Sequence, residues 1–139
     1  MKTSKDIDLE FLFEKQKELN TRIEPDLYKK MSNPDFRRMW FLNYTLALQQ
    51  EIGEAIDSTQ WKWWKKGEDD WDNIKIELVD MLHFWISMCQ VADMDANEVK
   101  ELYLKKNELN HTRQNKGYKE GTYQKVVDGK EDNEALHQS

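Results

Sequence analysis

Apolar residues recur every three or four positions in four stretches of the chain, the spacing of one helix face. The stretches cover residues 8–22, 33–64, 68–89 and 95–114. Pro25 ends the first, and Asn33 before Pro34 is a favourable start for the second. Asp95 and Glu98 resemble a capping box at the start of the fourth. The second helix is expected to reach the tryptophans of residues 61–64 and to stop before Gly67.

The four helical patterns predict an all-α fold, because no stretch resembles a strand–helix–strand unit. Helical periodicity is lost after Gly117, so residues 116–139 are predicted to form a flexible, substrate-clamping tail. One domain covering residues 1–139 accommodates this arrangement. Four helices in a small chain leave apolar faces exposed, so we expect dimerisation to complete the bundle.

Composition narrows the range of functions. The chain has 139 residues, 38% hydrophobic and 12% aromatic, with a net charge of −6, which disfavours nonspecific nucleic-acid binding. Its single cysteine, Cys89, excludes an internal disulfide and cannot alone provide a zinc site. No apolar run is long enough for a membrane span, and no signal-type segment follows the first residues. A cytoplasmic location is expected, in the host cell if a phage encodes the chain.

Charge is distributed unevenly along the sequence. Residues 51–80 hold nine acids and four lysines, a net charge of −5, whereas residues 105–125 hold six bases and two acids, a net charge of +4. Solvated helix faces can produce such an asymmetry. A cation site in the middle of the chain and an anion site near its end would also produce it.

Two pairs of acids stand out on adjacent predicted helices: Glu51 with Glu54, and Glu77 with Asp80. Residues three apart lie on one stripe of a helix, so each pair presents two carboxylates to the same side. Apolar neighbours surround both pairs, and partly buried carboxylates need partners. Four carboxylates facing each other would form an all-oxygen site suited to Mg²⁺ or Mn²⁺ rather than to zinc. Ordinary surface acids are the alternative interpretation.

These acid pairs resemble the motif of the all-α nucleotide pyrophosphohydrolases, the superfamily that includes the MazG-like enzymes. Three further segments are similar to the dimeric dUTPases: residues 16–20, residues 55–65 with 76–84, and the string from residue 106 to residue 133. The resemblance extends over about residues 9–136. It implies metal-dependent hydrolysis of dUTP, and of dUDP in many members, to dUMP. It also implies a homodimer whose site is completed between subunits.

The resemblance assigns roles to individual residues. Glu51, Glu54, Glu77 and Asp80 match the catalytic metal ligands, with Mg²⁺ or Mn²⁺ and two or more ions expected. The remaining matched residues are expected to contact the substrate: Gln16 and Asn20 near the base, Trp61, Lys62 and His83 around the nucleoside, and Lys106, Asn110, Arg113, Tyr118, Lys125 and Asn133 chiefly at the phosphates, with Asn110 nearer the base.

The chain also departs from the resemblance. Only about a dozen residues separate Cys89 from Leu102, where members of that family carry an extra helical region. Compact phage enzymes that act on dCTP as well as dUTP share the acid core, so the base preference stays open. A relaxed deoxynucleotide pyrophosphohydrolase of the MazG type is a second enzymatic alternative. A helical interaction protein without activity is a third interpretation.

Overall fold

Four α-helices carry most of the described chain, which runs from residue 3 to residue 137 in a computed structural model. The first unit, Met1–Asp95, contains α1 (Leu9–Ile23), α2 (Pro34–Asp57) and α3 (Trp71–Val91), with short 3-10 helices at Ser4–Asp6 and Tyr28–Lys30. The second unit, Ala96–Ser139, contains α4 (Ala96–Asn115), strands β1 (Val126–Val127) and β2 (Lys130–Glu131), and a 3-10 helix at Asp132–His137. The prediction of an all-α fold with four main helices is confirmed.

Short polar side chains define the helix starts of the first unit. Asp8 accepts a hydrogen bond from the backbone N–H of Phe11, and Asp70 accepts one from that of Asn73. Asn33 accepts from two backbone N–H groups at the start of α2, with Pro34 as the first helical residue. Such caps satisfy N–H groups that have no partner within the helix.

The predicted end of α2 is wrong. The helix stops at Asp57, and the tryptophans of residues 61–64 lie in the loop that follows. Ser58 ends the helix because its backbone carbonyl accepts from Asp70 N–H at 2.7 Å instead of continuing the helical pattern. Its hydroxyl bonds back to the carbonyl of Glu54 at 3.0 Å. A contact with the start of the next helix therefore decides where α2 ends, although the apolar periodicity of the sequence continues past that point.

Helices α2 and α3 run antiparallel along each other. Ser58 meets Asp70 at one end, and Arg37 Nε donates to the carbonyl oxygen of Val91 at 2.7 Å at the other. The main apolar cluster lies at the Val91 end, around Leu27, Tyr44 and Val91. The acid pairs lie towards the opposite end of these two helices.

The second unit contains a hairpin that the sequence analysis missed. Strands β1 and β2 pair antiparallel around a two-residue turn, Asp128-Gly129, in which both residues have positive φ (54° and 76°). An Asp-Gly pair after two valines is a strong hairpin signal, because glycine adopts positive φ without strain. The flexibility and clamping role of residues 116–139 and the single domain stay predictions, and residues 138 and 139 lie outside the described part.

No helix between residues 3 and 137 combines the length and the apolar character that crossing a membrane requires.

Candidate active site

Three of the four predicted metal ligands come together in the first unit. Glu51 on α2 and Glu77 and Asp80 on α3 each offer a carboxylate oxygen, and these oxygens lie within 4.8 Å of one another. Glu54 is exposed and lies outside this group, although its carboxylate interacts with that of Glu51. We call Glu51, Glu77 and Asp80 the acid cluster.

A polar chain from the α2–α3 connection orients one member of the acid cluster. Asn73 Nδ2 donates to Ser58 Oγ at 2.7 Å and to Glu77 Oε1 at 3.4 Å. Ser58 thus both ends α2 and holds the amide that contacts Glu77. The second oxygen, Glu77 Oε2, is buried and has no hydrogen-bond partner among the described residues.

Two oxygens of the acid cluster lack a hydrogen-bond donor or a cation in the part of the chain that the structure describes. Glu51 Oε2 and Glu77 Oε2 are buried and have no hydrogen-bond partner among the described residues. The pKa of Glu51 is raised to about 8, first by the interaction of its carboxyl group with that of Glu77, then by burial and by the nearby Glu54. Ionised carboxylates only accept hydrogen bonds, so facing ones repel each other unless a proton or a cation lies between them.

A hard divalent cation fits this donor set. The three ligands supply oxygen atoms only, which favours Mg²⁺ or Mn²⁺ over softer metals. The two unpartnered oxygens are the direct observation in favour of an ion, since buried acceptors without partners are costly.

The two residues predicted to read the base, Gln16 and Asn20, are buried in α1 and bonded to each other. Gln16 Nε2 donates to Asn20 Oδ1 at 2.9 Å, and Gln16 Oε1 lies 2.5 Å from His83 Nδ1. His83 is itself exposed and lies one helical turn after Asp80 on α3. The structure therefore brings Gln16 and Asn20 of α1 together with His83 of α3, the helix that carries half of the predicted ligands.

Trp61 and Lys62 lie in the loop between α2 and α3. The Trp61 indole is 44% exposed and donates to Asp57 Oδ1 at 3.3 Å. Its ring packs edge-on against Trp64 with centroids 5.6 Å apart, and Lys62 Nζ lies 5.8 Å from its centroid. An exposed indole face of this kind can stack a base.

In the second unit, five predicted substrate contacts gather around a sixth, Arg113. Its guanidinium donates to both carboxylate oxygens of Asp132, at 2.7 and 2.6 Å, and to Asn110 and Asn133. Lys106 Nζ also bonds to Asn133 Oδ1. Tyr118 lies beneath two cations, Lys125 at 4.9 Å and Arg113 at 5.9 Å from the ring centroid. The guanidinium of Arg113 is thus paired with the carboxylate of Asp132.

Sequence reasoning missed Asp132 and Tyr123 as members of this group. Tyr123 OH donates to Asp132 Oδ2 at 3.0 Å, so this carboxylate accepts from Tyr123 as well as from Arg113. The hydrogen bond from Arg113 is the main cause that lowers the pKa of Asp132 to about 2. The Asp-Gly hairpin signal could have located Asp132, because the hairpin returns the chain there and Asp132 N–H bonds to the Lys125 carbonyl at 2.8 Å.

Comparison with known proteins identifies the family of this chain. Residues 8–94 and 86–118 match the sequence profile of the dUTPase family, in two segments that together cover most of the chain. The chain belongs to the all-α dUTPase family. Enzymes of this family are generally metal-dependent, and the acid cluster lies within the matched residues of this dUTPase-family chain.

Two phage proteins resemble this dUTPase-family chain. It is 34% identical over 88 residues to a dCTP pyrophosphatase of Enterobacteria phage LZ5, covering 54% of this chain and 51% of the relative. It is 37% identical over 79 residues to a dCTP pyrophosphatase of Enterobacteria phage T4, covering 48% and 46%. The chain thus spans about half the length of the curated relatives it matches.

The Asp132 carboxylate should titrate well below an ordinary aspartate. A folded-state pKa of about 2, against 3.8 ordinarily, means that the ion pair with Arg113 stabilises the fold above about pH 4. This contribution falls as pH drops from about 4 to about 2, because protonation removes the charge. Carboxyl-carbon NMR shifts of Asp132 across this range check the expectation. A midpoint near 4 for Asp132 would contradict it.

Proposed function

We propose that this chain is a metal-dependent pyrophosphohydrolase of pyrimidine deoxynucleoside triphosphates, which it cleaves to the monophosphate and pyrophosphate. The observation that carries the proposal is the acid cluster, in which Glu51, Glu77 and Asp80 converge and two buried oxygens have no partner. A protein with a net charge of −6 needs a cation to bind a triphosphate of about four negative charges.

Glu51, Glu77 and Asp80 would hold Mg²⁺, with Glu54 beside them as a fourth, exposed acid. When bound, Mg²⁺ neutralises phosphate charge and lowers the pKa of a coordinated water. The protein's own contribution is to keep three carboxylates in place before the ion arrives. Asn73 does this for Glu77 through its amide, which leaves one carboxylate oxygen available as a ligand.

The base preference has two candidates. The family points to dUTP, whereas both phage relatives are named dCTP pyrophosphatase, which favours dCTP. Both bases are pyrimidines, and both suit an exposed indole such as that of Trp61 as a stacking partner. We therefore propose a site for uracil or cytosine deoxynucleotides.

Pyrophosphate release from dUTP, dCTP, dTTP, dATP and dGTP, with Mg²⁺ and with a chelator, tests the proposal. We expect Mg²⁺-dependent release from dUTP, dCTP or both, with much slower release from the purine nucleotides. Release that is equal for all five would favour the relaxed MazG-type alternative. No release from any of them would contradict the proposed activity and favour a non-catalytic role.

We also propose that the active form is a homodimer. Helices α2 and α3 expose many large apolar side chains in a single chain: Met39, Phe41, Leu42, Leu46, Ile52, Ile56, Trp71, Ile76, Leu78, Val79, Leu82 and Trp85. Exposed apolar surface on this scale is typical of an interaction site. A second copy of this chain would cover it by the same helix packing that α2 and α3 already use.

Sedimentation at micromolar concentration should give about twice the monomer mass of 16.8 kDa. Leu46→Glu should shift the particle towards the monomer, because Leu46 is 62% exposed on α2 and a charge there opposes burial. Ile23→Glu is the matched control, since Ile23 is 71% exposed but ends α1. A monomer for the unmodified protein would contradict the dimer.

A further inference from the structure

A chain of hydrogen bonds in the first unit runs from a backbone carbonyl to the imidazole of His83, and every bond in it has a fixed direction. It begins at Gln90, whose Nε2 donates to the carbonyl oxygen of Phe13 at 2.9 Å. A carbonyl only accepts, so the amide orientation of Gln90 is set. Gln90 Oε1 then accepts from Tyr28 OH at 2.7 Å.

The next group in the chain is Asn20. The Tyr28 hydroxyl donates its one hydrogen to Gln90, so its oxygen must accept from Asn20 Nδ2 at 3.2 Å. Ser87 fixes the same amide independently. Its hydroxyl donates to the backbone carbonyl of His83 at 2.9 Å, so Ser87 Oγ accepts from Asn20 Nδ2 at 3.0 Å. Two separate anchors thus give Asn20 one orientation.

Gln16 connects Asn20 to His83, so the orientation of the Asn20 amide also sets that of the Gln16 amide. With both Asn20 amide hydrogens used, its Oδ1 accepts from Gln16 Nε2 at 2.9 Å. Gln16 Oε1 therefore faces His83 Nδ1 at 2.5 Å. An amide oxygen cannot donate, so Nδ1 must carry the hydrogen. Gln16, Asn20 and Ser87 are 6%, 5% and 1% exposed, and reversing an amide there would leave buried donors facing donors.

We infer that Tyr28, Ser87 and Gln90 are positioning residues that hold neutral His83 with its hydrogen on Nδ1 and a lone pair on Nε2. His83 is exposed, and its hydrogen bond among the described residues uses Nδ1. Nε2 is therefore an acceptor for an incoming ligand. Resting on the proposed function, the inference assigns that lone pair to an N–H donor of the pyrimidine, N3–H of uracil or the 4-amino group of cytosine.

The sequence analysis assigned none of the three positioning residues to a site. Tyr28 belongs to the 3-10 helix between α1 and α2, and Ser87 and Gln90 lie near the end of α3. None of them contacts the acid cluster directly in the described hydrogen bonds. They act on the His83 imidazole through the orientation of two buried amides, those of Asn20 and Gln16.

Nitrogen NMR on the full-length protein without nucleotide tests the tautomer directly. At about pH 8, where an ordinary histidine is neutral, long-range proton–nitrogen correlations separate protonated from unprotonated ring nitrogens. The His83→Gln spectrum identifies the signals of His83 among the three histidines. We expect Nδ1 to be protonated and Nε2 unprotonated. A protonated Nε2 would overturn the inference, whether or not the protein hydrolyses any nucleotide.

Variants test the positioning roles. Tyr28→Phe and Ser87→Ala each leave one anchor on Asn20, so each alone should keep the hydrogen on Nδ1. The double variant removes both anchors and should distribute the hydrogen over both ring nitrogens. An unchanged tautomer in a folded double variant would show that these residues do not set it. If the double variant does not fold, Gln16→Met should give the same redistribution, because it removes the acceptor of Nδ1 together with the donor to Asn20 Oδ1.

Methylated nucleotides test the role of the lone pair. N3-methyl-dUTP or N4,N4-dimethyl-dCTP, whichever parent is hydrolysed, should have at least about tenfold lower kcat/KM, because the N–H donor is gone. In Gln16→Met the ratio of kcat/KM for the parent nucleotide to kcat/KM for its methylated form should shrink towards one. Purely steric rejection of the methyl group would leave the ratio unchanged in the variant and would overturn the assignment to the base. The NMR result is independent of this outcome and of the proposed function.

Discussion

Replacing Asp80 with Asn should lower turnover of the preferred triphosphate by at least about 100-fold, because the variant loses a charged ligand for the ion. Asp80 is one of the three residues whose oxygens lie within 4.8 Å of each other. The substitution keeps the size and polarity of the side chain, so the helical fold should survive. Steady-state kinetics with Mg²⁺ and far-ultraviolet circular dichroism measure the two effects.

The same variant provides a readout that does not need turnover. In the unmodified protein Mg²⁺ should raise Tm, because an ion that binds only the folded state stabilises it. The two unpartnered oxygens, of Glu51 and Glu77, are the groups that gain most. Asp80→Asn should reduce or remove that shift.

Asp72→Asn is the matched control for the metal experiment. Asp72 is exposed in the first turn of α3, and it is not one of the cluster residues. It should leave both turnover and the Mg²⁺-dependent rise in Tm close to those of the unmodified protein. Near-normal activity and an intact Mg²⁺ effect in Asp80→Asn would show that the acid cluster is not the metal site.

Replacing Arg113 with Ala should weaken substrate binding by about 10–100-fold, the loss of one or two charge-assisted hydrogen bonds to a phosphate. Arg113 is 7% exposed and bonded to Asp132, so a phosphate must share its donors or displace the carboxylate. KM and kcat from steady-state kinetics measure the effect, and Lys119→Ala, an exposed cation nearby, is the control.

Asp132→Asn separates two roles of Arg113. If the guanidinium binds phosphate, removing its carboxylate partner should leave KM within about threefold of the original, because the donors remain available. If Arg113 only anchors the C-terminal segment, both variants lose the same ion pair and should show the same defect. We expect the first pattern, and equal losses in both variants would contradict the phosphate role.

Hydrogen exchange tests whether the segment around Arg113 closes on the substrate. Protection of residues 117–129 should rise when a nonhydrolysable dUTP or dCTP analogue and Mg²⁺ are both present, because the phosphates supply partners for the cations. Gly117, with φ of 92°, is a natural hinge, and a side chain there would lie 1.8 Å from Thr122 Oγ1. Equal protection with and without ligand would rule out the clamp.

The sequence determined the features that depend on neighbouring residues. Asn33 before Pro34 sets the start of α2 because a cap acts on N–H groups two and three residues away. Acids three apart, as in Glu77 and Asp80, share a helix face whatever the rest of the fold does. The strings of residues around these acids were also enough to identify the family, which the match over residues 8–94 and 86–118 confirms.

Tertiary structure decided everything that depends on residues far apart in the chain. Asn20 and Ser87 lie 67 positions apart, and their bond helps to show that the amides predicted to read a base are oriented by the protein itself. Packing of α2 on α3 selected Glu51 rather than Glu54 for the acid cluster and ended α2 at Asp57, through Ser58 and Asp70. The sequence did not reveal Asp132 as the partner of Arg113, because the two residues come together only through the hairpin that returns the chain. Periodicity states which face of a helix is apolar, but the partner that covers that face, and the direction of each buried hydrogen bond, follow from packing between helices.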